Sequence, residues 1–180
     1  MSTWQELLKQ RSITSIEALA ERFGPEHFPV ELHDKLRQAI DNFEFRISPP
    51  MVDLIKSPDD PIWRQYIPTV QELDVVDGIV DSLSEDRDSP VPNITHRYPD
   101  RALFLVLPVC ASYCRFCFCW KETAATEKIP MSQFESAFQY LEQHTEIRDV
   151  IMSGGDPLLL NDRRLEAILT RLRAIPHLQL

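Results

Sequence analysis

The four cysteines of this chain are the residues whose type and spacing best suit chemistry. They lie within ten residues of one another, at Cys110, Cys114, Cys117 and Cys119. Scattered cysteines usually serve as small core side chains, but packing gives no reason to gather all of them in one short segment. Because thiolates are soft ligands that select zinc or iron–sulfur clusters, we expect this cysteine loop to hold a metal.

The spacing C-x3-C-x2-C of the first three cysteines favours a [4Fe–4S] cluster. Zinc usually takes two separated ligand pairs, and neither His96 nor His144, which could complete a zinc site, has ligand-pair spacing. Three thiolates leave one iron of the cluster open, as catalytic metal sites keep one position open. We therefore predict that Cys110, Cys114 and Cys117 bind the cluster and that Cys119 does not.

The segments around this loop predict the start of a parallel βα array. Two apolar runs, Ala102–Leu107 and Asp149–Met152, are typical of buried parallel strands. The first precedes the cysteines, and the second ends in Ser153-Gly154-Gly155-Asp156-Pro157. Since ligand-binding loops follow the carboxyl ends of such strands, we expect the two loops at one edge of the sheet.

Two amphipathic helices and the entry to a third strand complete this predicted array. A capping box from Ser132 to Glu135 begins the first helix, and Ile175 to Leu180 resembles the entry to the third strand. The helical stripes consist of Phe134, Ala137, Phe138 and Leu141, and of Leu165, Ile168, Leu169 and Leu172.

The first hundred residues predict a helical, loop-rich region. Thr14 and Glu17 fit a capping box for a helix that Gly24 ends, and a second helix is expected after Pro29. The run Ser48-Pro49-Pro50 is expected to break the helical pattern. The proline-rich and acidic residues 57–100 indicate an extended, ordered segment that packs against the rest of the protein. The aromatic and apolar side chains expected to pack there are Trp63, Tyr66, Ile67 and Tyr98. We place the domain boundary between residues 1–100 and 101–180.

Composition excludes several classes of partner. The net charge is −9 and the pI is near 5.0, so the surface offers no basic footprint for nucleic acid or anionic membranes. No apolar stretch is long enough to span a bilayer, and the N-terminus lacks the pattern of a secretion signal. We expect a cytoplasmic protein whose cysteines stay reduced unless a metal holds them.

The cysteine spacing after the first strand, together with the Gly-Gly loop, resembles the radical S-adenosylmethionine (SAM) superfamily. Flanking residues narrow the resemblance to the lysine 2,3-aminomutases and cover essentially the whole chain. The matching segments are Ser89–Arg101 with its sequence THRYPDR, Ile147–Val150 leading into SGGDPL, Leu172–His177, and in the lead-in Trp4, Asp59-Asp60-Pro61 and Ile67-Pro68.

This resemblance implies an α/β fold, a partial radical SAM (βα) barrel after a helical N-terminal region. It implies that SAM binds the open iron, with Phe116 near its adenine and the backbone of Ser153, Gly154, Gly155 and Asp156 near its amino group. It also implies that Arg97, Tyr98 and Arg101 lie near pyridoxal 5′-phosphate (PLP). The plainer alternatives are a tight turn at the glycines and ordinary ion pairs at the arginines.

The implied activity is that of an L-lysine 2,3-aminomutase, an isomerase that moves an amino group from C2 to C3 and yields a β-amino acid. Its partners would be a small amino acid, a reductant for the cluster and, in the full-length protein, a second copy of itself. One alternative is a relative that acts on glutamate, or on lysine for modification of elongation factor P. The alternative of another class is an inactive iron–sulfur or metal-binding remnant.

Two departures from the family pattern affect this expectation. Cys119 stands where the family has an arginine that pairs with the substrate carboxylate, and Trp120 replaces a further arginine. Arg115 is a candidate replacement for that pairing. The family lysine that binds PLP comes later than this chain, and no lysine follows Lys128. We therefore expect a fragment that is inactive alone.

Overall fold

A computed structural model describes residues 4–74, 79, 83–117 and 129–179 of the chain. The chain divides into two compact units. The first unit consists of Met1–Gly78 and Ala111–Trp120, and the second consists of Ile79–Cys110 and Lys121–Leu180. Within the cysteine loop, Cys110 therefore belongs to the second unit, and the residues from Ala111 onwards belong to the first.

The first unit is helical. Its helices are α1 (Trp4–Arg11), α2 (Ile16–Phe23), α3 (His33–Asn42), α4 (Pro49–Leu54) and α5 (Pro61–Tyr66), with 3-10 turns at Pro25–His27, Val30–Leu32 and Val70–Leu73. Its core includes Trp63, Tyr66 and Ile67, which confirms that these side chains pack. The predicted extended segment is wrong there, because α5 forms over the same residues.

Local signals explain where these helices begin and end. Ser15, in extended backbone, caps α2 by accepting a hydrogen bond from the Ala18 N–H at 3.2 Å, so the cap predicted at Thr14 is wrong by one residue. Gly24 ends α2 with a φ of 105°, as predicted. Pro49 starts α4 instead of breaking a helix, since its fixed φ suits the first helical position.

The second unit is a three-stranded sheet with two helices. The strands are β1 (Ile94–Tyr98), β2 (Arg101–Leu107) and β3 (Asp149–Gly154), and the helices are α6 (Glu135–Gln143) and α7 (Asp162–Arg173), with 3-10 turns at Met131–Phe134 and Pro157–Leu159. Their order is β1-β2-β3, with β1 antiparallel to β2 and β2 parallel to β3. The predicted α/β class and both predicted strands are confirmed, and β1 was not predicted. The described sheet is open rather than closed into a barrel.

One face of this sheet is packed against the two helices. Phe104 of β2 contacts Phe134 and Phe138, with ring centroids 5.1 and 5.4 Å apart. Ile168 and Leu172 of α7 join the same core. The other face carries Ile151 of β3, which is 48% exposed. Parallel sheets are usually covered on both faces, so this face is incomplete within the described residues.

Four local predictions in this unit are wrong. Residues 175–177 form a bend and a turn and residues 178–179 have no regular secondary structure, so no strand forms there; Leu169 and Tyr98 are exposed, and Ser132 does not cap α6. A 3-10 turn, Met131–Phe134, leads into α6 instead. In the described part of the chain, no helix has the length and apolarity needed to cross a membrane.

Candidate functional site

The carboxyl ends of β2 and β3 bring the Gly-Gly loop against the segment that enters the cysteine loop. Leu107 pairs with Gly154 at the end of the parallel ladder. The Gly155 N–H donates to the Leu107 carbonyl at 2.6 Å, and the Asp156 N–H donates to the Val109 carbonyl at 2.9 Å. Val109 directly precedes Cys110. The two segments therefore meet at one edge of the sheet, as the βα pattern predicts.

This close approach explains both glycines. A Cβ atom at Gly155 would lie 2.2 Å from the Val109 carbonyl oxygen, and one at Gly154 would lie 2.5 Å from that of Leu107. Gly154 also has a φ of 108°, a conformation that side chains disfavour. In the structure, the group that approaches these glycines is the protein's own backbone, at Leu107 for Gly154 and at Val109 for Gly155.

Asp156 and Ser153 flank the glycines at this edge. The Asp156 side chain accepts a hydrogen bond from the Leu158 N–H at 3.0 Å and so caps the 3-10 turn Pro157–Leu159. Ser153, Gly154, Gly155 and Asp156 are all half-buried. Their placement as SAM contacts stays a prediction.

The cysteines predicted as ligands are half-buried thiols that form no disulfide. Cys110 belongs to the second unit, whereas Cys114 and Cys117 belong to the first. Within the first unit, the Cys117 N–H donates to the Cys114 carbonyl at 3.0 Å, so these two cysteines lie in one tight turn. Among the described residues, no three His, Cys, Asp or Glu side chains are grouped so that they could hold a metal ion.

Hydrogen bonds fasten this turn to the helices of the first unit. The Tyr113 N–H donates to the Arg46 carbonyl and the Arg115 N–H to the Gln65 carbonyl, each at 2.8 Å. The Ser112 hydroxyl accepts from the Ser48 N–H at 2.9 Å. The lead-in helices therefore set the backbone path through the cysteine loop.

The Arg115 side chain is the main side-chain anchor of the cysteine loop, although the sequence suggested only a contact to the substrate carboxylate. It is 6% exposed and lies between Cys114 and Cys117 in the chain. Both of its terminal nitrogens and its Nε are bonded, to the Glu72 carboxylate and to the carbonyls of Ala39, Phe43 and Glu44. Because these contacts use its donors, Arg115 does not suit the role of substrate-carboxylate partner.

The remaining residues proposed around the cysteines are placed only in part. Phe116 is 65% exposed, so its ring presents an apolar surface to solvent. Cys119 and Trp120, where this chain departs from the family arginines, lie outside the described residues.

The residues predicted to contact PLP lie at the far end of β2. Tyr98 pairs with Arg101 at the β1–β2 hairpin, and the cysteine loop follows the opposite end of this seven-residue strand. At about 3.3 Å per residue, β2 separates the two groups by roughly 20 Å. Arg97 Nε lies 2.7 Å from Asp88, and Arg101 Nε lies 3.0 Å from Asp100.

Two histidines considered as zinc ligands instead contact a tyrosine of α6. His96 Nδ1 lies 2.7 Å from the Tyr140 hydroxyl, and His144 stacks on the Tyr140 ring with centroids 3.7 Å apart. Burial raises the pKa of the Tyr140 phenol, so the phenol stays protonated over the physiological range. The arrangement is a packed hydrogen-bonded cluster rather than a ligand pair.

Among curated proteins, several relatives of this chain carry the same name, L-lysine 2,3-aminomutase. The chain is 38% identical to L-lysine 2,3-aminomutase of Fusobacterium nucleatum in an alignment of 181 positions, gaps included, which covers 99% of the chain and 41% of the relative. It is 39% identical to the Clostridium subterminale enzyme of the same name, covering 83% of the chain and 37% of the relative. The chain belongs to the lysine 2,3-aminomutase family.

This membership of the lysine 2,3-aminomutase family rests on relatives longer than the chain. A 45% match to the Bacillus subtilis L-lysine 2,3-aminomutase covers 68% of the chain and 26% of the relative. The chain thus spans less than half the length of these curated relatives. No family model matches it.

Proposed function

We propose that the chain is part of a radical SAM, PLP-dependent aminomutase that acts on a small α-amino acid, with lysine as the first candidate. The observation that carries the proposal is the meeting of the Gly-Gly loop with the entry to the cysteine loop at the carboxyl ends of β2 and β3. Membership of the lysine 2,3-aminomutase family supports the reaction class.

The thiols of Cys110, Cys114 and Cys117 would hold the [4Fe–4S] cluster. Their donor chemistry fits, since soft thiolates suit iron–sulfur sites and all three are half-buried outside disulfides. This assignment rests on spacing and thiol chemistry. With SAM bound, a reduced cluster of this kind would supply the electron that cleaves SAM to methionine and the 5′-deoxyadenosyl radical, which removes hydrogen from the substrate. A reducing, cytoplasmic setting and an electron donor belong to the same proposal.

The Gly-Gly loop and Phe116 would orient SAM. The N–H groups of Gly155 and Asp156 already donate to the carbonyls of Leu107, in β2, and Val109, just after it, so an amino group on SAM would be met by carbonyl oxygens of the loop. An ammonium donates hydrogen bonds, and carbonyls accept them. The exposed ring of Phe116 offers an apolar face for the adenine.

The family resemblance makes Arg97, Tyr98 and Arg101 the candidates for contacts to the phosphate and ring of PLP, although β2 separates them from the cysteine loop by roughly 20 Å. Guanidinium groups suit phosphate, and all three side chains are exposed. Each arginine now pairs with a carboxylate, so a phosphate would have to replace Asp88 or Asp100 as its partner.

The architecture we propose is a partial (βα) barrel over residues 101–180 after a lead-in over residues 1–100. After α7, the Gln179 N–H donates to the Arg148 carbonyl at 2.9 Å, just before β3 begins. A following strand placed there would extend the sheet beyond β3. The exposed Ile151 face would then become interior, as in a barrel.

Anaerobic reconstitution of the 180-residue chain with iron and sulfide tests the cluster. We expect about four irons per chain, as the cluster type requires. Alanine at Cys110, Cys114 or Cys117 should abolish uptake, whereas Cys119→Ala should retain it. Loss of the cluster in Cys119→Ala as complete as in Cys114→Ala would contradict the ligand assignment.

The same preparation tests the expectation that this chain lacks turnover by itself. With SAM, PLP and a reductant, we expect no conversion of lysine to β-lysine, because no lysine follows Lys128 to hold PLP. Mass spectrometry of the amino acid pool measures this. Formation of β-lysine would show that the catalytic machinery is complete without further chain.

A further inference from the structure

Gln65 in α5 touches the cysteine loop twice, at adjacent residues. Its carbonyl accepts the Arg115 N–H at 2.8 Å, and its side-chain Nε2 lies 3.7 Å from Cys114 Sγ. Sulfur is larger than oxygen, so a weak N–H···S hydrogen bond is longer than an N–H···O bond. Gln65 therefore approaches one of the proposed ligand sulfurs directly.

In the structure, the nitrogen end of the Gln65 amide faces the sulfur. Nε2 also lies 3.2 Å from the Tyr66 hydroxyl, so the amide nitrogen has two acceptors within reach, one for each of its hydrogens. The helix itself is held by Asp60, whose carboxylate accepts from the Trp63 N–H at 2.7 Å. Trp63 and Tyr66 are buried on either side of Gln65.

The backbone on the cysteine side of this contact is also anchored. Tyr113 and the Arg115 side chain are both buried on either side of Cys114. Glu72 binds Arg115 while its Oε1 also accepts from the Thr69 N–H at 2.9 Å, so the anchor is tied to backbone as well. The backbone of both partners of the Gln65–Cys114 contact is therefore anchored within the first unit.

We propose that Gln65 is a positioning residue that tunes the reduction potential of the cluster through an N–H···S bond to Cys114. The proposal rests on the cluster assignment made above. Reduction adds negative charge to the cluster and its thiolates, so a donor aimed at a thiolate stabilises the reduced form more than the oxidised form. Hydrogen bonds to cluster sulfurs are among the factors that set such potentials. Removal of the donor should make the cluster harder to reduce.

The test compares Gln65→Met with Gln38→Met in the reconstituted 180-residue chain. Methionine is close to glutamine in size but donates no hydrogen bond. Gln38 is exposed on α3 of the same unit, so its replacement makes the same chemical change away from the cysteines. The readouts are iron and sulfide content, and electron paramagnetic resonance of the cluster during redox titration with dithionite.

We expect Gln65→Met to take up the cluster and to lower the ratio of reduced to oxidised cluster about fivefold at a fixed potential, the ratio equivalent to about 1 kcal/mol. Gln38→Met should titrate like the unaltered chain. If Gln65→Met does not fold, Gln65→Glu, which keeps the size but places a carboxylate at the sulfur, should show a shift in the same direction.

Each outcome separates this inference from the proposed function. Clusters in all variants with equal titration curves would overturn the role of Gln65 and leave the cluster assignment intact. A chain that takes up no iron and sulfide at all would overturn both. A shift of Gln65→Met towards harder reduction, with Gln38→Met unchanged, supports the N–H···S bond, and a shift of Gln65→Met towards easier reduction would overturn it.

Discussion

At the scale of single residues, the edge of the sheet depends on positions where a side chain has no room. Gly155 approaches the Val109 carbonyl so closely that even a methyl group would displace backbone. The same backbone leads into Cys110, so strain at Gly155 would reach the cysteine loop through the chain. Packing of the protein on itself is thus sufficient reason for a glycine here, whether or not SAM also binds.

Gly155→Ala should destabilise the second unit. A Cβ would lie 2.2 Å from the Val109 oxygen and would break or lengthen the hydrogen bonds between this loop and β2, at a cost of about 1–3 kcal/mol. Urea unfolding followed by circular dichroism measures the change. Leu158→Ala, at an exposed residue of the same loop, is the control and should stay within about 0.5 kcal/mol. Equal stabilities of the two variants would contradict the tight fit.

Asp88 gives a residue-scale prediction of pH dependence. Hydrogen bonds from Arg87, and next from Arg97, lower the pKa of the Asp88 carboxyl to about 2. Since the folded-state pKa is below the usual value, the ion pairs contribute stability above pH 4 or so and lose it as the pH falls towards 2. Carbon-detected NMR titration should locate this pKa, and Arg97→Gln should raise it towards its ordinary value. An unchanged pKa in Arg97→Gln would show that Arg97 does not bind Asp88 in solution.

At the scale of elements, helix positions and the Gly24 end of α2 were predictable from the sequence, but the predicted N-terminal capping boxes were not confirmed. In both predicted capping boxes, the glutamate forms an ion pair with an arginine of a neighbouring helix. Glu17 pairs with Arg37 of α3 at 2.6 Å, and Glu135 pairs with Arg171 of α7 at 3.2 Å. These partners are distant in sequence, so a local pattern could not reveal that the carboxylates were already engaged.

Ser15→Ala should destabilise the chain by about 1 kcal/mol, and Thr14→Ala should be nearly neutral. The reason is that the Ser15 hydroxyl accepts from the Ala18 N–H, whereas Thr14 is exposed outside the helix. Thermal and urea unfolding of the two variants measure the difference. A larger loss at Thr14 than at Ser15 would restore the capping box as first predicted from the sequence.

The same distinction between local and long-range information applies to the site. Cys110, Cys114 and Cys117, and the glycines after β3, were recognisable because their spacing is local. Arg115 and Gln65 were missed as supports, since their partners are tens of residues away: Glu72 for Arg115, and Cys114 for Gln65. Strand β1 was also missed, because its pairing with β2 decides its structure. The one signal in the sequence for the anchoring role of Arg115 was its position between Cys114 and Cys117.

At the scale of the whole molecule, the sheet formed by the described residues has two unequal faces and one open side. Val150 of β3 is buried against α6 and α7, while its neighbour Ile151 points to the uncovered face. The relatives extend well beyond the length matched by this chain. If downstream strands build a barrel on this sheet, Ile151 becomes interior and Val150 keeps the environment it already has.

Ile151→Asp therefore separates the proposed barrel from an open sheet. In the 180-residue chain, we expect a loss of less than about 1 kcal/mol, because Ile151 is 48% exposed. In a chimera extended with the downstream part of the Fusobacterium nucleatum relative, the same carboxylate would be buried without a partner and should cost several kcal/mol. Val150→Asp is the matched control and should destabilise both proteins, since Val150 is 6% exposed already. Urea unfolding of all four variants gives the comparison. If the chimera tolerates Ile151→Asp as well as the shorter chain does, this face is not the inside of a barrel, and the proposed architecture is wrong.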